Sequence, residues 1–403
     1  MTHSPPPGRP PQERLRLAEE FMLAGRLHEA AVLFDELDHA HPAVALQRAR
    51  LALLDNRLDE AIRRLLQLRG ARPGASPVEA LLAEAWYRSG DFSAAAVSYA
   101  ATGRRALANA LRDFGPLRPY TLHAEAGAAV LPWLAATPAP VIAARVNGRE
   151  VHLMVDTGAD MVLLDPGVAA AAEIRTGATE PSRFAGGQPA HVRYGRAEHL
   201  QLEQTRVDHV PVCTLALGTQ FHDFFPATPI DGVLGTGVLA RFRCTFDYRR
   251  RALTLEPGGQ TRYADAGRGA RFWWAGTHYL VTETTLNDTH HTLALIDTGM
   301  AGTAVAVPPD TVDAAGLALS GGEPRTGYGG GGAVNAHPLR VAELCLDNFC
   351  RREVPGVLLA DFPLERRFGF RIGAVLAHDL FTGCRVRLDF DAMRIAVDDA
   401  SDG

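Results

Sequence analysis

Two acidic tripeptides, Asp156-Thr157-Gly158 and Asp297-Thr298-Gly299, are the residues of this chain best suited to chemistry. Each closes an apolar run, Leu153-Met154-Val155 in one case and Leu293-Ala294-Leu295-Ile296 in the other. A carboxylate at the exposed end of a buried strand, followed by a small hydroxyl residue and a glycine, suits acid/base work. Two such carboxyls brought face to face cannot both ionise cheaply, so they hold one proton between them at intermediate pH. The ionised partner can then take a proton from water while the other donates to a carbonyl.

The elements that must position these residues are duplicated. Ile230-Asp231-Gly232-Val233-Leu234-Gly235 follows the first tripeptide and Ile372-Gly373-Ala374-Val375-Leu376-Ala377 the second. Gly235 lies 79 residues after Asp156, and Ala377 lies 80 after Asp297. Phe242 to Tyr248 and Cys384 to Phe390 come next, with Asp247 at 91 and Asp389 at 92 residues from their tripeptides. Upstream, Asn147-Gly148 and Asn287-Asp288 read as hairpin turns feeding the strand that ends in the aspartate. Residues 138 to 398 are therefore expected to be one β-rich unit used twice, as lobes at 138–256 and 272–398 joined by a link at 257–271.

These motifs resemble those of retropepsin-like aspartic proteases, over about two-thirds of the chain. Asp156-Thr157-Gly158-Ala159 carries the resemblance in the first lobe, together with the apolar-apolar-glycine motif at Val233-Leu234-Gly235. The resemblance implies a single-chain, bilobal, pepsin-like arrangement in which Asp156 and Asp297 form a catalytic dyad that hydrolyses peptide bonds. It also implies that Thr157 and Thr298 lock the two loops together by hydrogen bonds, with Gly158, Ala159 and Gly299 supporting the dyad. Glycine-rich stretches stand where flap hairpins would cover a substrate: Gly186 and Gly187 in the first lobe, Tyr328, Gly329 and Gly330 in the second. Tyr194 and Tyr328 are candidates to reach over a bound peptide. The chain departs from the pattern at Ala377, where the second motif (Leu376-Ala377) lacks the glycine, and at Met300, in place of a small residue. Either could tilt Asp297, so the alternative is a peptide-binding adaptor that does not cleave.

Composition narrows the choice. The net charge is −5 and every one of the 41 basic residues is arginine, which excludes a Schiff-base or P-loop lysine. No basic stretch tracks a phosphate backbone, so nucleic acid is not an expected partner. No cofactor or metal is expected; His290-His291 sits at a hairpin without further ligands, and His378-Asp379 reads as a helix start. The longest apolar stretch, Ala126 to Ala144, is broken by Pro132, Pro138 and Pro140, which argues against a membrane helix. With no secretory signal in the sequence, a cytoplasmic location is the expectation. Cys345 and Cys350 flank a possible two-residue turn and could be bridged there, but free buried thiols are the preferred expectation.

The N-terminal quarter is of a different kind. A disordered proline-rich start, 1–11, is followed by an all-α repeat over 12–114 and a linker over 115–137. Gly25 to Ala30, Asn56 to Ala61 and Gly90 to Ala95 recur, with Phe34, Leu65 and Tyr99 following each. This resembles tetratricopeptide repeats, which implies paired helices offering a groove to a substrate or partner protein; a cap that packs only on its own chain is the other reading. The fold expected is thus multidomain α+β, helical repeats and then an all-β bilobal protease fold.

Overall fold

The computed structural model describes residues 10–71, 76–123, 127–184, 189–217, 224–258, 269–321, 323–329, 332–360, 362 and 367–399. An N-terminal helical region is followed by a β-rich, protease-like region. Of the expected disordered start, residues 1–9 lie outside the described residues, and a helix already begins at Pro11.

The helices come in consecutive packed pairs: α1 (Pro11–Leu23) with α2 (Leu27–Asp35), α3 (Pro42–Leu54) with α4 (Leu58–Ala71), and α5 (Ser76–Ser89) with α6 (Phe92–Ala101). Proline at the first turn of α1 and α3 costs no hydrogen bond there. Asp91 caps α6, accepting from the Ala94 N–H at 2.9 Å. The turn inside each pair places one residue in the left-handed region, Gly25, Asn56 and Gly90. The alanine five residues on, Ala30, Ala61 or Ala95, is fully buried. Gly103 begins a fourth such turn, into α7 (Arg105–Arg112), where Ala108 is again fully buried. The helices do not stand apart from the lobes. Met22, Phe34 and Leu54 share a core with Leu293, Phe370 and Ile372, and Tyr87, Phe92 and Leu111 share one with the first lobe.

In the first lobe β3 (Val141–Val146) and β4 (Arg149–Val155) form the expected hairpin, with Asn147 and Gly148 both at positive φ. The second lobe repeats it with β13 (Tyr279–Leu286), β14 (His290–Asp297), Asn287 and Asp288. The turn asparagines are used alike: Asn147 Nδ2 donates to the Ala172 carbonyl at 2.9 Å, and Asn287 Nδ2 to that of Ala315 at 3.2 Å. The landmark strands follow suit. β9 (Gly232–Leu234) pairs parallel with β4 and antiparallel with β5 (Val162–Leu164). β20 (Ala374–Ala377) does the same with β14 and β15 (Val305–Val307).

The lobes meet in a shared antiparallel sheet. Its middle is β10 (Phe242–Asp247) against β21 (Arg385–Asp389), flanked by β11 (Ala252–Pro257) and β22 (Arg394–Asp398). The outer strands are β2 (Ala129–Ala135) and β12 (Ala270–Ala275). β2 corrects the expectation of a linker over 115–137: that stretch also holds β1 (Thr121–His123), which pairs with β8 (Thr205–Thr214). Burial alternates along β2, and Pro132 faces outward on the edge strand, where its missing N–H is harmless. Residues 259–268 of the expected inter-lobe link lie outside the described residues.

The cysteine expectation is also corrected. β18 (Gly332–Leu346) and β19 (Phe349–Leu359) turn at Asp347-Asn348, with Asp347 at positive φ, so Cys345 and Cys350 face each other in register. Their Cα atoms are 4.1 Å apart and they are bonded as a disulfide. Cys213, Cys244 and Cys384 are free and buried. Among the described residues no helix is long and apolar enough to cross a membrane.

Candidate active site

Each aspartate stands where its strand leaves the sheet. β4 and β14 run through the core because their side chains are largely apolar; Asp156 follows just beyond β4, and Asp297 is the last residue of β14. Those loops are joined by four reciprocal hydrogen bonds. The Thr157 N–H donates to Thr298 Oγ1 at 3.0 Å, and the Thr298 N–H donates to Thr157 Oγ1 at 3.0 Å. Thr157 Oγ1 donates on to the Ile296 carbonyl at 2.8 Å, and Thr298 Oγ1 to that of Val155 at 3.0 Å. Both hydroxyls are buried, so each bond is shielded from competing water. The result is a pseudo-two-fold axis running between the two carboxyls.

Each carboxyl lies against the glycine of the opposite tripeptide, which brings the two carboxyls together across that axis. The Gly158 N–H donates to Asp156 Oδ1 at 2.7 Å; those of Gly299 and Met300 donate to Asp297 Oδ1, each at 3.0 Å. Burial raises the pKa of Asp156 well above the carboxylate range, and the neighbouring Asp297 raises it further. Burial raises Asp297 as well, while the bond from Asp156 and the amides of Met300 and Gly299 oppose the rise. Both directions agree with a pair that shares one proton at intermediate pH.

The glycines admit this approach. A methyl on residue 158 would lie 2.7 Å from Asp297 Oδ2, and one on residue 299 would collide with the Asp156 carboxyl. Gly299→Ala should lower kcat for a cleaved peptide by at least about 100-fold, through displacement of Asp156. Steady-state kinetics within a factor of about three of the parent would contradict that geometry.

Ala377 and Met300 are accommodated. In the first lobe a methyl on residue 235 would meet the Met161 carbonyl at 2.6 Å, so glycine is required. Leu163 and Ala306 hold equivalent register positions, seven residues after Asp156 and nine after Asp297. The second loop is thus two residues longer, and Ala377 pairs in register with Asp297 while its N–H donates to the Ala304 carbonyl at 3.0 Å. Met300 holds Asp297 through its backbone, and its side chain packs on the core shared by the second lobe and α1 to α3.

Other expected positions divide. Leu234, just before Gly235, pairs with Val155, and Leu376 pairs with Ile296, each beside its tripeptide. Ala159 accepts from the Thr236 N–H at 2.9 Å. β6 (Thr176–Arg183) and β7 (Pro189–Leu202) form a hairpin ending at Arg183 and Pro189, but Gly186 and Gly187 lie outside the described residues. β17 (Arg325–Gly329) pairs with β18 as far as Gly329 and Gly332, with Tyr328 and Gly329 in the strand and Gly330 outside the described residues. Tyr194 does not reach over a peptide: it is buried, and its hydroxyl accepts from Arg104 Nη2 at 2.7 Å. His378 opens a 3-10 turn, His378–Phe381, and its ring is buried against the Ala136 carbonyl at 3.0 Å. No group of His, Cys, Asp or Glu among the described residues could hold a metal.

Sequence reasoning missed two groups beside the dyad. Asp160, four residues after Asp156, accepts from Thr277 Oγ1 at 2.9 Å, and burial pushes its pKa up to about 6. His278 meets the Gly158 carbonyl, and burial pushes its pKa down to about 3. Their signal was slight, a second acid just past the tripeptide and a Thr-His pair before a strand.

Residues 142–238 match the family model described as aspartyl protease. The matched residues lie within the first lobe. The second lobe repeats their strand pairing beyond the match. Among solved structures, the chain is similar to a retropepsin-like aspartic protease from Rickettsia conorii, at 18% identity over 34% of this chain and 94% of that one, with a TM-score of 0.23. It is also similar to the aspartic proteinase from Irpex lacteus, at 11% identity over 68% of this chain and 98% of that one, with a TM-score of 0.44. No curated protein matches the chain.

Proposed function

We propose that this protein is an aspartic endopeptidase in which Asp156 and Asp297, one from each lobe, activate a water for attack on a peptide bond. The observation that carries the reading is the contact between two buried carboxyls whose loops are interlocked by Thr157 and Thr298. The ionised member of the pair is the general base toward the water, and the protonated member donates to the carbonyl oxygen as the tetrahedral centre forms. The glycine-rich ends of the β6–β7 and β17–β18 hairpins are the proposed flaps, closing over an extended peptide. Ala377 and Met300 motivated the adaptor alternative, and the longer second loop removes that motive. We further propose that any partner recruited by the helical region meets its outward surface, since Met22, Phe34 and Leu54 are occupied by the second lobe.

Peptide-library digestion across a pH series, with an aspartic-protease inhibitor as control, tests the reading. Both carboxyls titrate above their ordinary range, and activity requires one proton on the pair. The rate should rise as pH climbs past the first ionisation of the pair and fall again at its second. A rate independent of pH between about 4 and about 9 would contradict a shared proton.

A further inference from the structure

The last turn of α5 reaches both lobes close to the tripeptides. Arg88 is 7% exposed, and its guanidinium spans two parts of the protein. Nη1 donates to the carbonyl of Trp274 at 3.0 Å and of Gly276 at 3.4 Å, at the end of β12. Nη2 donates to Asn56 Oδ1 at 2.6 Å, on the turn between α3 and α4. The guanidinium also lies over the Trp274 ring, 4.7 Å from its centroid. The backbone it grips leads directly into Thr277 and His278. Thr277 donates to Asp160 Oδ2, its hydroxyl lies 3.0 Å from His278 Nδ1, and His278 meets the Gly158 carbonyl.

Tyr87, the preceding residue, approaches the same carboxyl from the other side. Its ring stacks on Phe92 with centroids 5.1 Å apart and stands edge-on to Tyr99 at 6.3 Å. Its buried hydroxyl is close to the Asp160 carboxyl and the Tyr120 hydroxyl, but among the described residues neither tyrosine hydroxyl nor Asp160 Oδ1 has a hydrogen-bond partner. Two neighbouring residues of one helix thus reach the dyad loop of the first lobe and the β12–β13 hairpin of the second. The second lobe has no counterpart of Asp160; Ala301 stands at that offset from Asp297.

We propose that Tyr87 and Arg88 are positioning residues for the dyad, which makes the helical region a working part of the cleft. Arg88 sets the hairpin that carries Thr277 and His278, Tyr87 sets Asp160, and both act through those groups on the Asp156 loop. The proposal rests on the dyad reading for its catalytic consequence, but the coupling itself is structural. The charged and titratable groups facing Asp160 are Tyr87, Tyr99 and Arg104 from the helical region, Tyr120 from the segment before β1, Cys213 from β8, and Tyr279 and Arg367 from the second lobe. Burial is the main cause of the raised Asp160 pKa, and Thr277, Arg104 and Tyr87 hold it back.

Two variants test this. Arg88→Met keeps the aliphatic stem and removes the donors; Tyr87→Phe keeps the aromatic stack and removes one hydroxyl. In the full chain, Arg88→Met should lower kcat at least about tenfold while KM changes less than about threefold. A lower melting temperature with kcat per folded molecule unchanged would show a clamp without positioning and would overturn the proposal. Carbon-13 NMR titration of the Asp160 carboxyl, assigned with Asp160→Asn, gives a readout independent of turnover. Its midpoint should lie higher in Tyr87→Phe than in the parent, and an unmoved midpoint would overturn the proposal. Should the parent cleave no peptide, the dyad reading fails, and the titration alone decides whether α5 controls the loop.

Discussion

Asp156→Asn and Asp297→Asn should each lower kcat for peptide cleavage by at least about 1,000-fold, the upper part of the range for losing a general acid or base. An amide in place of the general base cannot take a proton from water. In place of the acid it can still donate a hydrogen bond to the carbonyl, but it cannot pass its proton on. Neither change should unfold the protein, because the loops are held by the threonines and not by the acids. Asp297→Asn also removes the repulsion that helps to raise Asp156, so Asp156 should titrate lower in that variant, closer to its ordinary range. Activity should be measured per correctly folded molecule, with circular dichroism and thermal unfolding as controls. Turnover within tenfold of the parent in either variant would remove the dyad from the mechanism.

Thr157→Val should destabilise the chain by about 3 kcal/mol, since it strands two buried backbone groups at about 1–3 kcal/mol each. The groups are the Ile296 carbonyl and the Thr298 N–H, which have Thr157 Oγ1 as their partner. Valine matches threonine in shape, so the loss isolates the hydroxyl. Thr157→Ser retains both bonds and loses one methyl, for a cost of about 0.8 kcal/mol. Urea unfolding of the three proteins gives the comparison. Equal losses for Val and Ser would mean that packing, and not the crossed bonds, fixes the loops.

The dyad was legible because duplication wrote it twice: two tripeptides, two Asn-initiated turns and two later strands agree in spacing. That agreement also concealed something. The offsets of 79 and 80 residues differ by one, yet the loop after Asp297 is longer by two, so a shortening elsewhere masks the insertion that makes room for Ala377. β2 was obscured by Pro132, which weighs against a strand until its place on a sheet edge is known. The Cys345–Cys350 bridge required knowing that both residues fall opposite one another across a two-residue turn. The docking of the helices was beyond reach for another reason. An apolar stripe announces that something will cover it, but Met22 and Phe34 do not say that the cover is Leu293, over 250 residues away. Tyr87 and Asp160 are separated in the same way, and nothing local marks either as the other's neighbour.

The shared sheet through β10 and β21 has an evolutionary consequence. When an axis relates two copies of one gene product, any change on one side is forced on the other. Here both sides are encoded separately, so Asp160 can face Ala301 across the axis and a tight glycine loop can face a roomier alanine one. Divergence of that kind permits unlike surroundings for the two acids, each tuned by its own loop.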